Sequence, residues 1–498
     1  DKIGLSDGMT DLADNDQQIG FTPGAESVNR RVFDFINVKN AHEFVEFQIQ
    51  DLTAVLTSYI NKAVHRAEYT RRFGNAGEQL QDILKELFEQ GATQEDLETI
   101  MKGTAAMTGV LGANEINRTW AGIQGNIIAI ENLALLPLSL FASLIDPLGI
   151  AIRTGSFKDA WEGFKRGMEQ LRKDLTSKVT GAKQEEPELE LLVRDLGVLD
   201  ENSMMNAYGD AYSGNYMSRG LKKLNETFFR WNGMEGWNKA MRVQATIAGS
   251  QFILKHLRTV NDEKADPKAK AESKRYLDEM GLKAEDLKKV ETKAVSLTRR
   301  QLHAGDPAVE VIWATNNREE LLKSKEDDTT YRLRRALFKF IDSAVLRPNA
   351  AHRPIWGSDP RFALIFHLKQ FTHSFQEVIM KRVWHEWKNG NTKPAQVALT
   401  YIPFMAAADA AKAMLLGKGF DMSIGQFFGK EVERSGLLGT GQYAVDAVQD
   451  MARGDNPAAS FVGPAADHAG TIADWMAGSA STRDLVDRSV PLAKYAPK

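Results

Sequence analysis

Cysteine is absent from all 498 residues. That absence excludes a disulfide framework, a thiolate metal site and a cysteine nucleophile, and it leaves the redox compartment open. An excess of either charge is also missing: 63 Lys and Arg stand against 66 Asp and Glu, a formal net charge of −3. No global electrostatic drive toward nucleic acid or an anionic membrane follows, so any such binding is local. Proline is scarce, with 15 against 39 glycines, and no stretch reads as a hairpin or a fixed-period repeat. Before residue 30 no basic region is paired with an apolar one as a secretory signal requires, and Asp1 reads as an internal or processed end. What is present in quantity is Ala, Leu, Lys and Glu, the composition of helices packed closely through small residues. The expected fold class is all-α: an elongated multi-helix assembly with a long central helix, an extended N-terminal arm and a loosely packed C-terminal tail.

Catalytic patterns fail one by one. Asp14, Asp16 and Gln18 hint at a calcium loop, but Ile19 stands where the turn glycine must be and Ala25 where the bidentate Glu must be. Glu26-Ser27 matches a catalytic pair of lytic transglycosylases, yet no substrate-cleft pattern follows it. His367, His373 and His385 are six and twelve residues apart, whereas a helical zinc pair needs three or four. His385-Glu386 begins a metalloprotease motif that Asn389 ends. Glu131 is the one acidic residue in a strongly apolar setting, and it suits an interhelix hydrogen bond better than general acid catalysis. No enzyme activity, metal or cofactor is expected.

The chain is organised around one helix expected from Pro360 to Lys388. Asp359 can cap it, Pro360 fits the first position where no amide is needed, and Asn389-Gly390 stops it. At 100° per residue His367, Gln370, Ser374, Glu377, Lys381, His385 and Lys388 share a narrow stripe. Two apolar surfaces flank that stripe, so the helix is either a core element or an oligomer seam. Phe362, Phe366, Phe371, Phe375, Trp384 and Trp387 are the candidate self-assembly residues, in a ring or tube.

Around it the expected organisation is an arm at 1–30, a helical region at 31–180, a linker and a glycine-containing aromatic helix at 181–260, and a charged helical lobe at 261–330. The central helix and an Ala-rich helix, Pro394 to Lys418, occupy 331–420, and a docking tail occupies 421–498. Glycines 233, 236 and 249 in the aromatic helix predict close helix crossings, since each costs about 1 kcal/mol relative to alanine. Arg332, Arg334, Arg335 and Lys339 form the densest basic patch and are the candidates for DNA phosphate contact.

The most apolar stretch runs from Ile127 to Ile145, 19 residues with Glu131 as its one formal charge. It reads either as a buried helix pair broken at Pro137 and at Asp146-Pro147, or as a segment that enters a bilayer conditionally. As one helix it spans about 28 Å, close to the roughly 30 Å hydrocarbon core. Its candidate membrane-contacting residues are Ile127, Ile128, Ile130, Leu133, Leu135, Leu136, Leu138, Leu140, Phe141, Leu144 and Ile145. These eleven contribute roughly −3 to −7 kcal/mol to insertion, and Glu131 returns about 2–3.

Three stretches together carry a resemblance: NRTWAGIQGNIIAIENLALLPLSLFASLIDP, FFRWNGMEGWNKAMRVQA, and LRPNAAHRPIWGSDPRFALIFHLKQFTHSF with the Ala-rich helix after it. In that order, over about residues 110 to 420, the chain resembles the C-terminal region of the large internal virion (ejection) proteins of short-tailed bacteriophages. Its strongest element is Arg353-Pro354-Ile355-Trp356-Gly357-Ser358-Asp359-Pro360, leading into Lys369, Gln370 and Phe371. The resemblance implies a protein held in the virion interior that leaves ahead of the genome and builds a DNA-translocation conduit in the host periplasm and inner membrane. The partners it implies are further copies of itself, other internal or portal-associated proteins, phage DNA in transit and the host envelope membrane. The alternative is a static helical scaffold or a nucleic-acid-associated module of a larger phage protein.

Overall fold

The computed structural model describes residues 69–70, 73–74, 77–108, 118–136, 143–180, 227–229, 231–292, 294–297, 309–312, 328–346 and 353–415, with Leu111, Leu140, Glu190, Val193 and Leu224 between them. The arm at 1–30, the start of the helical region up to residue 68, most of the linker after 181 and the tail at 421–498 lie outside the described residues. The class is all-α. In chain order the helices are α1 (Glu78–Glu89), α2 (Gln94–Thr108), α3 (Arg118–Leu135), α4 (Pro147–Thr154), α5 (Phe157–Thr180), α6 (Met234–Asn261), α7 (Pro267–Met280), α8 (Leu287–Thr292) and α9 (Asp328–Ala344). A short ladder, β1 (Ala294–Leu297) with β2 (Val309–Ile312), lies between α8 and α9.

Among the described residues, those up to Ala121 with Arg353–Ala363 form one compact unit, and those of Gly122–His352 with Leu364 onward form a second. In the first, α1 and α2 make a helical hairpin over Leu80, Leu84 and Leu97. Gly91, at φ 100, turns the chain. Thr93 then opens α2 by a reciprocal cap: its amide donates to Asp96 Oδ2 at 2.9 Å and the Asp96 amide to Thr93 Oγ1 at 3.2 Å. The Arg-Pro-x-Trp signature belongs to this unit. Ile355–Ser358 is one 3₁₀ turn, and Arg353 Nε donates to Ser358 Oγ at 2.8 Å. Asp359 accepts from the Arg361 amide at 2.9 Å, the cap the sequence predicts.

The second unit is built on α6. Its 28 residues are buried almost all round, against α5, α7, α8, α9 and β2, which makes it the core element of the unit although polar residues share its circumference. Several of its buried polar residues are satisfied locally or by neighbours. Thr246 Oγ1 and Ser250 Oγ donate to the carbonyls four residues back, and Gln244 Oε1 accepts from Arg166 Nε at 3.1 Å. The expected close crossings are here: a Cβ on Gly249 would stand 2.7 Å from Phe340 Cδ1 of α9, and one on Gly236 2.0 Å from Asp174 Oδ2 of α5. Gly233 does something else, since it precedes the helix in the left-handed region at φ 83.

The tightest approach to backbone is on α4, where a Cβ on Gly149 would meet the Ala344 carbonyl oxygen at 2.2 Å. That neighbour is backbone and cannot swing away. Gly149→Ala is therefore expected to destabilise the unit by about 1–3 kcal/mol, read as a lowered urea midpoint with unchanged slope.

Three expectations are corrected. The charged lobe at 261–330 is not an exposed lobe throughout, because Tyr276, Leu277, Met280, Leu282 and Val290 join the α6 core. Its tail end carries the antiparallel ladder, Ala294 facing Ile312 and Leu297 facing Val309. No two-residue turn signal marks that ladder, since the strands stand eleven residues apart. The Ala-rich helix is two: α13 (Lys393–Leu399) and α14 (Tyr401–Leu415), divided at Thr400. Pro403 has no amide for the Leu399 carbonyl and its ring crowds it, which breaks the helix there.

The central helix keeps its expected ends and loses its regularity. A 3₁₀ turn at Pro360–Phe362 leads to α10 (Ala363–Phe366), a 3₁₀ turn at His367–Lys369, α11 (Gln370–Ser374), a π segment at Phe375–Met380 and α12 (Lys381–Lys388). Gly390, at φ 80, follows the last turn. The wider π turn rotates α12 relative to a uniform helix. Trp384 and Trp387 consequently face solvent, at 54% and 52% exposure, while Glu386 is buried.

Candidate functional site

The apolar stretch does not form one helix. α3 ends at Leu135, two residues before Pro137, and α4 begins at Pro147 after Asp146. A single 28 Å helix over 127–145 is thereby excluded in this conformation, for the reason proline always gives: no amide to donate and a ring against the preceding turn. Among the described residues no helix is long and apolar enough to cross a membrane.

What α3 does is bury a polar seam. Glu131 and Asn132 are completely enclosed, and so are His367 and Ser374, with Gln370 nearly so. The N-terminal half of the polar stripe on the central helix therefore faces inward, and its C-terminal half, at Lys381, His385 and Lys388, faces water. One hydrogen bond crosses the seam directly: His367 Nε2 and Asn132 Oδ1 are 2.9 Å apart, which requires the proton on Nε2. Nδ1 of His367, Nδ2 of Asn132 and Oγ of Ser374 then have no partner among the described residues. Each such buried group costs about 1–3 kcal/mol relative to a paired one. Protonating His367 would place a second N–H in the same enclosure, and burial accordingly pushes its imidazole down to about 4.

Of the candidate membrane contacts, Ile128, Leu133 and Ile145 are buried, Ile127, Leu136, Leu140 and Leu144 are half-buried, and the side chains of Ile130, Leu135, Leu138 and Phe141 lie outside the described set. Leu136 and Leu140 pack against Phe229 and Met234 at the start of α6. Of the candidate assembly residues, Phe366 and Phe375 are core residues, at 3% and 2% exposure, and are corrected on that ground. Phe375 packs on Tyr401 with ring centroids 5.3 Å apart. Phe362, Trp384 and Trp387 are exposed, and the Phe371 side chain lies outside the described set. The basic patch on α9 is divided: Arg332 Nη2 pairs with Asp286 at 2.7 Å, Lys339 Nζ donates to the Glu279 carbonyl, and Arg335 faces solvent.

A second polar centre carries no sequence signal of its own. Glu386, on the buried side of α12, accepts from Arg275 Nη1 at 3.1 Å and Nη2 at 2.8 Å, and from the Tyr276 hydroxyl at 2.9 Å, both on α7. Arg382 and the Asn391 amide complete its shell. Burial alone would raise this carboxyl, but the Arg275 hydrogen bonds and the Arg382 charge outweigh it and hold it at about 2. Glu279 is shared among Arg275, Arg382 and Arg153, the last at 3.8 Å. Among the described residues no three His, Asp or Glu are placed to hold a metal ion. No family model, curated protein or solved structure matches the chain.

Proposed function

We propose that the chain is an internal virion protein of a short-tailed bacteriophage that self-associates and repacks in the host envelope as part of the conduit for DNA. The sequence resemblance over about residues 110 to 420 names the class. The observation that carries the reading is the seam: the apolar helix α3 is held to the central helix through fully buried Asn132, His367 and Ser374, whose hydrogen-bonding groups are partly unmet. An interface of that kind is weaker than its apolar area suggests, and exchanging it for another subunit whose donors and acceptors meet these groups relieves them, which lipid alone does not. The end of α3 at Leu135 and the start of α4 at Pro147 interrupt the stretch, and lipid tolerates such an interruption where protein covers the backbone.

Liposome flotation and dye release at pH 7 and pH 4.5 test the membrane half, comparing wild type with the double variant Leu136→Glu/Leu140→Glu. Wild-type protein is expected to float and release dye at the lower pH, and the variant to do neither. A wild type that ignores liposomes at both values, before and after refolding, leaves the static scaffold as the better reading.

A further inference from the structure

Beside the Glu386 centre lies an open cleft of about 480 Å³ between the end of α4, the facing sides of α6 and α7, and the turn after α12. Arg153, in the last turn of α4, lines it while being only 5% exposed. Its guanidinium lies over the rings of Phe252 and Phe340, 5.8 and 5.6 Å from their centroids. Among the described residues no acceptor is within hydrogen-bonding distance of it, its Nε is buried and unmet, and its nearest carboxylate is Glu279 at 3.8 Å. Burial lowers it to about 10, so it remains charged at neutral pH. A buried arginine with five donors and no hydrogen bond is a rare arrangement, because such donors are ordinarily met.

The charge around it is unbalanced. Arg153, Arg275 and Arg382 face two carboxylates, Glu279 and Glu386. At the rim Lys255, Lys268 and Lys393 have no ion-pair partner among the described residues, and Glu272 is the one carboxylate lining the cleft, held by the Tyr276 hydroxyl at 3.1 Å. Six cations to three carboxylates leave a local surplus of three positive charges in a chain whose formal net charge is −3. A concave site lined by an excess of cations raises the local potential for an anion, and a cleft of this volume has the size of a small-ligand site.

We propose that this cleft binds a small organic phosphate of mononucleotide size, with the phosphate received by Arg153 and the three rim lysines. Guanidinium forks and ammonium groups together match a tetrahedral dianion, and the excess volume beyond a phosphate accommodates the organic part. The site is independent of the membrane seam and of the conduit reading.

Isothermal titration of the full chain with adenosine 5′-monophosphate, inorganic phosphate and adenosine tests it. Saturable binding of the monophosphate is expected, absent for adenosine. Phosphate binding as tightly as the nucleotide identifies free phosphate as the source, and tighter nucleotide binding identifies the organic ester. Lys255→Ala/Lys393→Ala, two surface changes, is expected to weaken binding at least about tenfold with unchanged circular dichroism. Arg153→Met is expected to weaken it further, and where that variant unfolds the lysine variant decides alone. No saturable binding of either phosphate, equal binding of adenosine, or lysine variants that bind like wild type overturns the site.

Discussion

Glu386→Ala is expected to destabilise the second unit by about 3–5 kcal/mol, the range for removing one member of a buried ionic cluster. The carboxylate is 1% exposed and receives donors from Arg275, Tyr276, Arg382 and Asn391. Its loss leaves two guanidiniums with the already shared Glu279 as their remaining carboxylate, and the Tyr276 phenol with Glu272 as its remaining acceptor. Glu386→Gln separates charge from shape: the amide keeps one acceptor, so it should recover part of the hydrogen bonding and little of the ionic contribution. Urea unfolding of the three proteins measures both. A midpoint for Glu386→Ala within about 0.5 kcal/mol of wild type would show that the cluster is a solvated surface feature, against its burial.

Acid is expected to destabilise the fold in two stages. His367 and His256 have ordinary values of 6.5, and burial lowers each to about 4 in the fold. Their contribution is complete above pH 6.5. Between 6.5 and 4 the unfolded chain takes up protons that the folded chain refuses, so stability falls, by about 3 kcal/mol for each. Below 4.5 the lowered Glu386 adds a second loss that runs toward pH 2. Asp146 opposes the first stage: half-buried as a residue, it has its carboxyl pushed up to about 7 by burial, so its effect favours the fold as pH drops from 7 to 4. Chemical denaturation at half-unit steps from pH 8 to 4 should show the net fall, and His367→Gln should flatten it. A wild-type curve level across that range, or a variant curve identical to it, would place His367 in contact with water.

Local chemistry was legible in the sequence, and long-range pairing was not. Asp359 as a cap, the stop at Asn389-Gly390 and the tight passage at Gly249 each depend on a few adjacent residues or on one missing Cβ. The polar stripe on the central helix was visible too, but not that its first half is buried, because that depends on Asn132, 235 residues away. Glu386 gave no signal, standing alone among exposed tryptophans with its partners 110 and 111 residues earlier. The outward turn of Trp384 and Trp387 was illegible for a different reason: periodicity assumes a uniform helix, and the π segment at Phe375–Met380 is not one.

The shared carboxylates also impose an order on biosynthesis. Arg153 and Arg275 are translated well before Glu386, which follows Arg275 by 111 residues. At roughly 5–20 residues per second, the ribosome needs about 5–20 s to cover that interval. Throughout it the emerging polypeptide holds Arg153 and Arg275 with Glu279 of α7 as their one carboxylate partner and without Glu386. The ionic cluster that joins α7 to α12 is thus completed only after Glu386 has left the ribosome.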